Sequence, residues 1–475
     1  MSDRSQQTPA ASGSATSAAL TSIAAASMAL LLTGCLAAQS AEAGAPSAEG
    51  SSDAPKNVIY MIGDGMGYNH VAATNLYESG QTKYQVEGEA DPDTLEELPA
   101  EPVQGYEEWD SVAMSTYPEG GSYDGEEAWS DREYVNEGFT DSAAAGTAMA
   151  TGTKTENGKI GVDSSGEPLE NLSERAIDTG RSAGVVTTVP FNHATPAAWA
   201  AHNADRDDYT GMATEMIDGD LDVIMGAGHP EYDDDAEHLD TPDYEYLSEE
   251  DYDRVSSGET DFDFIEDNTD FEDLATGQST AERVFGLAQA GSTLQYERDG
   301  SSDEVGGDEM NDLVDLSTMS QGALNTLSQN DDGFHLMIEG GAIDWAGHGN
   351  DTARDVEEVL DFNEAVDTVT QWVEENSSWE ETLVIVTADH ETGYLGGPDD
   401  DPDHSPMTGE PDETPEVSWS SEDHTNALVP VFYRGAGSDA LTEKISGTDP
   451  VRGDYLDNTA IPEVLMEEFW VREEQ

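Results

Sequence analysis

Short apolar runs recur along the chain and alternate with stretches whose apolar residues follow helical spacing. The runs cover residues 56–62, 183–189, 221–225, 334–338, 383–387 and 429–433. They have strand length, and turn residues bound several of them, so they predict buried strands. Helical spacing is found at residues 171–178, 279–290, 320–327 and 356–373. This alternation predicts the α/β class: one large three-layer α/β/α domain around a central, mostly parallel but mixed sheet.

Acidic side chains stand where three of these predicted strands end. Asp64 follows the first run within a Gly-Asp-Gly turn, Glu339 follows the run at 334–338, and Asp389 follows the run at 383–387. In parallel sheets, ligands bind beyond the carboxyl ends of the strands, which makes these carboxylates candidate site residues. A nucleotide-binding loop is the alternative for the turn at Asp64, but the turn lacks the Gly-Lys-Ser/Thr ending of a phosphate-binding loop.

A run of small residues follows an acid and a hydroxyl between Thr140 and Gly152, in the stretch TDSAAAGTAMATG. Thr140 or Asp141 is suited to cap a helix, which places Ser142 in or just before the first helical turn. Backbone N–H groups and the helix dipole favour negative charge there, so a serine at this point can hold a transferred phosphoryl group. The alternative is a capped helix whose small residues pack tightly against the sheet.

Histidines accompany several acidic motifs. Asp344 and His348 are spaced i,i+4, so on a helix they share one face and can bind one metal ion. Asp389 and His390 are adjacent at a predicted strand end, and His424 lies shortly before the run at 429–433. A surface helix pair is the alternative for Asp344 and His348, but their position directly after a predicted buried strand weakens it.

Two more polar motifs follow the strand predicted at 183–189. Residues 191–196 read FNHATP and contain His193 and Thr195, and Arg206 comes shortly after them. Basic residues are scarce in this chain, and an arginine can clamp a phosphate with two parallel hydrogen bonds. A surface ion pair is the alternative for Arg206.

Charge limits the partners of the protein. The chain has 17 Lys and Arg against 103 Asp and Glu, a formal net charge of −86. So acidic a surface argues against nucleic acid or an anionic membrane surface as a stable partner. The acids are spread along nearly the whole chain, which indicates adaptation to concentrated salt. We interpret the acidic stretches 87–108 and 230–273 as surface insertions in the form of solvated loops.

The beginning of the chain has the shape of a secretory signal, with an apolar run at residues 19–33 that ends in LTGC. This ending resembles the lipobox of exported lipoproteins, which implies cleavage before Cys35 and a lipid on its sulfur. The sequence thus predicts a signal peptide at 1–34, a flexible tether at 35–55 and the domain at 56–475. The predicted location is extracellular or at the cell surface, and any membrane contact is through the lipid. Plain secretion and an uncleaved anchor are the alternatives.

Taken together, these motifs resemble those of the alkaline phosphatases. The segments IGDGMG, TDSAAAGTA and TADH are specific in combination, and the whole set follows the order of the family between Lys56 and Tyr433. The resemblance implies an alkaline-phosphatase-like fold and the hydrolysis of small phosphate monoesters. Members of the family are often dimers, which by analogy implies a homodimer.

The resemblance also implies roles for the motif residues. Ser142, preceded by Asp141, would form a phosphoserine intermediate, and Arg206 would clamp the phosphate. The cofactors implied are two zinc ions and a third metal ion, usually magnesium. The zinc ligands implied are Asp344, His348 and His424 for one ion, and Asp64, Asp389 and His390 for the other. The ligands implied for the third ion are Asp64, Thr195 and Glu339.

Two positions depart from the best-known bacterial member of the family. His193 stands where that protein has a carboxylate and Trp345 where it has a lysine, although some members resemble this chain at both positions. His193 can coordinate the third metal directly and favour a transition ion over magnesium. Trp345 would face the bound phosphate in place of a cation.

Two other interpretations remain open. One is another hydrolase of the same superfamily, such as a phosphodiesterase, although diesterases usually have Thr as the nucleophile and lack an acid like Glu339. The other is a non-enzymatic acidic lipoprotein of the cell surface that binds cations. It accounts for the charge and for Cys35 but not for the ordered ligand motifs.

Overall fold

The structure, a computed structural model, describes residues 54–399 and 402–472. The predicted signal peptide, the lipidation site Cys35 and all but the last two residues of the predicted tether lie outside the described residues. Within the described ranges, none of the helices is both long and hydrophobic enough to span a bilayer.

Strands and helices alternate along the domain. The strands are β1 Asn57–Gly63, β2 Val86–Glu87, β3 Glu96–Glu97, β4 Asp110–Ser115, β5 Ser182–Pro190, β6 Val223–Ala227, β7 Asp263–Ile265, β8 Val284–Leu287, β9 Phe334–Gly340, β10 Thr382–Thr387, β11 Glu391–Thr392, β12 Leu395–Gly396, β13 Ser418–Trp419, β14 His424–Thr425, β15 Val429–Gly435, β16 Gly447–Asp449 and β17 Gly453–Asp457. The α-helices are α1 Tyr68–Ser79, α2 Gly125–Ser130, α3 Ser142–Thr151, α4 Leu172–Asp178, α5 Ala194–Ala198, α6 Tyr209–Asp218, α7 Glu249–Ser256, α8 Asn268–Ala275, α9 Leu316–Leu327, α10 Ala342–Gly349, α11 Thr352–Asn376 and α12 Ala460–Val464.

Eleven strands of the described chain form one sheet, in the spatial order β16-β17-β4-β15-β10-β1-β9-β5-β6-β8-β7. Every neighbouring pair from β10 to β7 is parallel. β15 runs antiparallel to both β10 and β4, so the sheet is mixed on this side. The prediction of a mostly parallel, mixed sheet is therefore confirmed.

The central strands are buried on both faces. Residues 58–62 of β1 have no exposed surface. Because successive side chains of a strand point to opposite faces, both faces of the sheet must be covered here. The helices α4, α9 and α11 pack directly against these strands. The sequence reads as a continuous apolar run because the sheet is the middle layer of the α/β/α domain.

The stretch 279–290, which the sequence predicted as a helix, contains strand β8 instead. Val284, Phe285 and Leu287 are fully buried, and β8 lies between β6 and β7. Gly286 leaves room for a ring, since a Cβ built there would lie 2.7 Å from Phe271. The helix prediction is wrong because a short apolar run with both faces covered suits a strand, a difference that periodicity alone does not show.

The two acidic stretches carry regular structure where the sequence predicted solvated loops. Residues 230–273 contain α7, β7 and most of α8, and β7 pairs with β8 at the edge of the sheet. Val255 and Phe271 are buried on the apolar side of this stretch, which is why it folds despite its charge. The stretch 87–108 includes β3 and a 3₁₀-helix at Gly105–Glu108.

Three adjacent strands end together and position the candidate site. β1 lies between β9 and β10, and Ile62 is in register with both Glu339 and Thr387. All three strands therefore end at the same level of the sheet. Asp64, Glu339 and Asp389 lie at or just beyond these ends. This shared level at the carboxyl edge brings residues from distant parts of the sequence together.

Candidate active site and metal centre

Helix α3 begins at Ser142, directly after its cap. Asp141 is the N-cap residue, and its Oδ1 accepts the N–H of Ala144 at 2.9 Å. Ser142 is buried, and its Oγ lies 3.2 Å from Nε2 of His390. The helix start therefore presents a hydroxyl and backbone N–H groups to the carboxyl edge of the sheet.

Small side chains let α3 lie close to α5. Ala143, Ala145 and Ala148 have no exposed surface. A Cβ built on Gly146 would lie 3.1 Å from the Cβ of Ala198. A larger residue at Gly146 would push α3 away from α5 and carry Ser142 with it. Tight packing and a helix start that faces the site are thus both features of this stretch.

The first ligand group, called the outer group below, consists of Asp344, His348 and His424. Asp344 and His348 lie one turn apart on α10, and His424 begins β14. Nε2 of His348 is 3.4 Å from Oδ2 of Asp344, and Nε2 of His424 is 3.4 Å from Oδ1 of the same carboxylate. The two histidines therefore meet at one carboxylate, each beside a different oxygen, as ligands of one metal ion can.

The second ligand group, called the inner group below, consists of Asp64, Asp389 and His390. Nε2 of His390 is 3.4 Å from Oδ1 of Asp64 and 3.3 Å from Oδ2 of Asp389. The ring of His390 also stacks on the ring of His424, with centroids 3.7 Å apart. Ligand atoms of His390, His424 and Asp344 lie within 4.8 Å of one another, so the two groups adjoin.

Backbone carbonyls determine which nitrogens of the outer histidines carry hydrogen. Nδ1 of His348 donates to the carbonyl of Glu422 at 2.6 Å, and Nδ1 of His424 donates to the carbonyl of Thr140 at 2.8 Å. In the neutral rings the lone pair is therefore on Nε2. The two Nε2 atoms face each other at 3.0 Å, so a proton or a metal ion must lie between their lone pairs. This donor arrangement fits a metal ion.

A third group lies beside Asp64 and consists of His193, Thr195 and Glu339. The hydroxyl of Thr195 donates to Oδ2 of Asp64 at 3.4 Å, and that of Thr187 donates to Glu339. Within the described part of the chain, Oδ1 of Asp64, Oε1 of Glu339 and Nδ1 of His193 are buried without a hydrogen-bond partner. Buried polar atoms of this kind require a donor or a cation, so each of them is available to a bound ligand.

Burial and mutual repulsion shift the pKa values of the buried ligands. Burial, with Asp389 and Asp344 nearby, raises the pKa of Asp64 well above its usual range. Burial likewise raises the pKa of Asp389 to about 6 and that of Glu339 to about 8. It lowers the pKa of His390, which keeps this ring neutral and able to bind a metal. A divalent cation would stabilise the ionised carboxylates.

The guanidinium of Arg206 faces the same space as Ser142. Its Nη1 donates to Oδ2 of Asp141 at 3.0 Å, and the N–H of Gly158 donates to the same oxygen at 2.8 Å. Asp141 thus caps α3 with one oxygen and holds the arginine with the other. Ser142 and Arg206 line a cavity of about 600 Å³, together with Tyr296 and Glu297.

His193 and Trp345 lie against each other in the wall of this cavity. Their ring centroids are 5.7 Å apart, with the planes inclined at 66°. Burial and the nearby Arg206 lower the pKa of His193 to about 3, so the ring is neutral. The structure therefore places side by side the two residues that depart from the best-known bacterial pattern.

The structure brings together all the site residues that the sequence indicated within the described ranges, and it adds two threonines. The hydroxyl of Thr392 donates to Oδ1 of Asp344 at 2.5 Å and lies 3.3 Å from Nδ1 of His390. The sequence offered a signal for Thr392, because it lies two residues after the predicted ligand His390. Thr187 had no such signal, because its pairing with Glu339 depends on the register of β5 and β9.

Comparison with known proteins finds relatives over most of the chain. The family model described as Alkaline phosphatase matches residues 55–414. Alkaline phosphatase 4 of Bacillus subtilis (strain 168) is 30% identical over 405 residues, which are 83% of this chain and 74% of that protein. Alkaline phosphatase 3 of the same organism is 30% identical over 352 residues, which are 73% of this chain and 63% of that protein.

Solved structures share the fold. The cold-active alkaline phosphatase from the psychrophile Shewanella sp. aligns with a TM-score of 0.61 at 25% identity, covering 86% of this chain and 100% of that chain. Alkaline phosphatase from the Antarctic bacterium TAB5 aligns with a TM-score of 0.60 at 24% identity, covering 88% and 100%. Because the family model spans most of the domain and the relatives agree with it, this chain belongs to the alkaline phosphatase family and is a phosphatase.

Proposed function

We propose that the protein hydrolyses phosphate monoesters through a phosphoserine intermediate at Ser142. The observation that carries the proposal is the position of the Ser142 Oγ, 3.2 Å from Nε2 of His390, where the inner and outer groups adjoin. We propose further that each of these groups holds a zinc ion. The third group would hold magnesium or another divalent ion.

The donor sets support this choice of metals. The outer and inner groups combine imidazole nitrogens with carboxylate oxygens, which are ligands of catalytic zinc. The third group offers carboxylate and hydroxyl oxygens, which suit magnesium, while the nitrogen of His193 favours a transition ion. When bound, the zinc ions supply Lewis acidity to a serine hydroxyl and to phosphate oxygens.

Residues of the chain bind and orient the phosphate. N–H groups at the start of α3 and the guanidinium of Arg206 stabilise its negative charge. Asp141 keeps Arg206 in position through the contact at 3.0 Å. The Oγ of Ser142 loses its proton and forms a bond to phosphorus as the ester P–O bond breaks, and the leaving oxygen takes up a proton and departs as the alcohol. Water then cleaves the phosphoserine, which releases phosphate and restores the serine.

Export and assembly are further proposals, and they depend on the sequence alone. We propose that the chain is exported, that Cys35 carries a lipid, and that the enzyme forms a homodimer. Cys35→Ser should release the protein from membranes into the medium. An unchanged membrane fraction would show that the apolar run at residues 19–33 is itself the anchor.

The proposed reaction is tested with p-nitrophenyl phosphate beside the corresponding diester and sulfate ester. We expect the monoester to be hydrolysed fastest and the active protein to contain zinc. Ser142→Ala should abolish the phosphoenzyme trapped at acid pH without reducing metal content. Ser173→Ala is the matched control, because Ser173 is also buried in the first turn of a helix. A phosphoryl group on another residue, or faster hydrolysis of the diester, would contradict the proposal.

A further inference from the structure

His70 lies beside the metal centre, and the sequence indicated no role for it. The residue is in the first turn of α1 and has no exposed surface. Its Nδ1 lies 2.6 Å from Oδ1 of Asp355 on α11, and its Nε2 lies 2.9 Å from the carbonyl oxygen of Thr392. A carboxylate and a carbonyl both accept hydrogen bonds, so the ring donates from both nitrogens and is a buried imidazolium.

The surroundings of the ring agree with this charge. Burial lowers the pKa of His70, but the carboxylates of Asp355 and Glu391 outweigh it and raise the pKa to about 10. Oε1 of Glu391 is 3.6 Å from Nε2 of the ring. A buried ion pair gives little net stability, because both charges are removed from water. We therefore look for the role of the His70–Asp355 pair in the positions of the residues that it contacts.

The imidazolium holds the backbone at Thr392. Nε2–H of His70 donates to the Thr392 carbonyl, while the Thr392 N–H donates to the carbonyl of Gly65 at 3.1 Å. Both backbone polar groups of Thr392 are therefore engaged. The indole of Trp419 packs edge-on against the ring of His70, with centroids 5.6 Å apart, and helps to bury it.

Thr392 in turn contacts both ligand groups. Its hydroxyl hydrogen is donated to Asp344, so its oxygen is free to accept from Nδ1–H of His390 at 3.3 Å. That arrangement leaves the lone pair of His390 on Nε2, where a metal binds. One hydroxyl therefore orients a carboxylate of the outer group and an imidazole of the inner group.

We propose that His70 is a positioning residue: paired with Asp355, it holds Thr392 where its hydroxyl orients Asp344 and His390 for metal binding. This inference rests on the proposed function, in which those residues bind zinc. It extends the metal centre to α1 and α11, which supply none of the proposed ligands.

Zinc affinity tests the role of His70, measured on the full chain by competition with a chelator at one fixed high salt concentration. His70→Ala and Thr392→Val are each expected to weaken zinc binding by about 10-fold or more, as residues that orient metal ligands do. Asp355→Asn is expected to weaken it less. Excess zinc should restore much of the lost kcat in all three variants, with KM little changed.

His335→Gln is the matched control. His335 is another fully buried histidine, near the amino end of β9, where its Nδ1 donates to the carbonyl of Val58 at 3.2 Å. This variant should lower the thermal midpoint and leave zinc affinity within about twofold of wild type. A merely structural role for His70 would give the same pattern in His70→Ala, and that result would overturn the proposal.

A double variant checks that the two residues act together. In the double variant of His70→Ala and Thr392→Val, zinc affinity should fall by less than the product of the single effects. If His70→Ala does not fold, Thr392→Val and Asp355→Asn decide the outcome, and wild-type zinc affinity in both overturns the inference. Full activity of wild-type protein that contains no zinc would contradict the proposed function, and this inference would fail with it.

Discussion

The outer and inner ligand groups use the same residue types in different surroundings. The side chain of His348 in the outer group is 38% exposed, whereas those of Asp64, Asp389 and His390 in the inner group have no exposed surface. The outer ligands come from α10 and the short strand β14, while the inner ligands follow the central strands β1 and β10. Unbalanced charge costs far more where water is excluded. The inner group should therefore depend on its ion for charge balance, and the outer group should exchange its ion with solvent.

Replacement of an inner ligand should give the largest effect. Oδ1 of Asp389 accepts the N–H groups of Gly65 and His390, and its Oδ2 is free to bind a metal. We expect Asp389→Asn to reduce kcat/KM by about 1,000-fold or more, since the change removes a buried charge beside His390, which contacts the nucleophile. Excess zinc should not restore the activity. Recovery to near wild type on addition of zinc would show that the two groups are equivalent.

An outer ligand should be easier to replace. We expect His348→Asn to weaken zinc binding by roughly 10- to 100-fold, and saturating zinc to restore most of kcat. Zinc titration of the activity checks this expectation, with His238→Asn as the control because His238 is an exposed histidine that does not line the cavity. Activity lost beyond recovery in His348→Asn would remove the distinction between the groups.

The pH dependence of stability should differ between metal-free and metal-loaded protein. With no metal bound, burial would hold the pKa of Glu339 at about 8. Burial lowers the pKa of His424, but Asp344 outweighs it and would raise this pKa to about 9. A raised pKa stabilises the folded state below the unfolded pKa, and this stability is lost as pH rises through the folded value. We therefore expect the thermal midpoint of chelator-treated protein to fall from pH 7 to pH 9.

Zinc and magnesium should flatten that profile, because the ions replace the protons on these groups. Differential scanning calorimetry of both forms at one salt concentration provides the comparison. A metal-free midpoint that stays constant or rises over this range would contradict the proposed charge imbalance.

The cavity wall beside the outer group should have a smaller effect, on product binding. Trp345→Lys adds a cation where His193 and Trp345 now meet, and we expect phosphate to inhibit this variant roughly tenfold more tightly, about 1.4 kcal/mol. The effect should be non-additive with His193→Asp, since both groups face one site. Phosphate inhibition constants across this cycle are the measurement. An unchanged constant in Trp345→Lys would mean that this residue does not face the phosphate.

Added salt should have the smallest effect on zinc binding, and the effect should differ between the two ligand groups. The net charge of −86 attracts zinc, and added salt screens exposed groups more than buried ones. Zinc affinity of the outer group should fall a few-fold from low to molar salt, with less change at the inner group. The thermal midpoint should rise over the same range as self-repulsion is screened. A falling midpoint would argue against adaptation to salt.

Local signals predicted the strands and the ligands, while tertiary contacts escaped prediction. Asp64 and Asp389 were recognisable because each follows an apolar run at a turn, a pattern contained within a few residues. Strand β8 was not, because a short buried run reads equally well as a helix. His70 and Asp355 are 285 positions apart, and their pairing depends on how α1 packs against α11. No spacing rule reaches that far along a chain.

The close contact between α3 and α5 gives the small residues of TDSAAAGTA a mechanical role. Gly146 and the neighbouring alanines set the separation between α3 and α5 and so the position of the nucleophile, since a Cβ added at Gly146 would lie only 3.1 Å from the Cβ of Ala198. Reaction rates respond to misplacements of about an ångström, which is comparable to the size of one added methyl group. Side chains without any chemical function thus determine how precisely Ser142 is positioned.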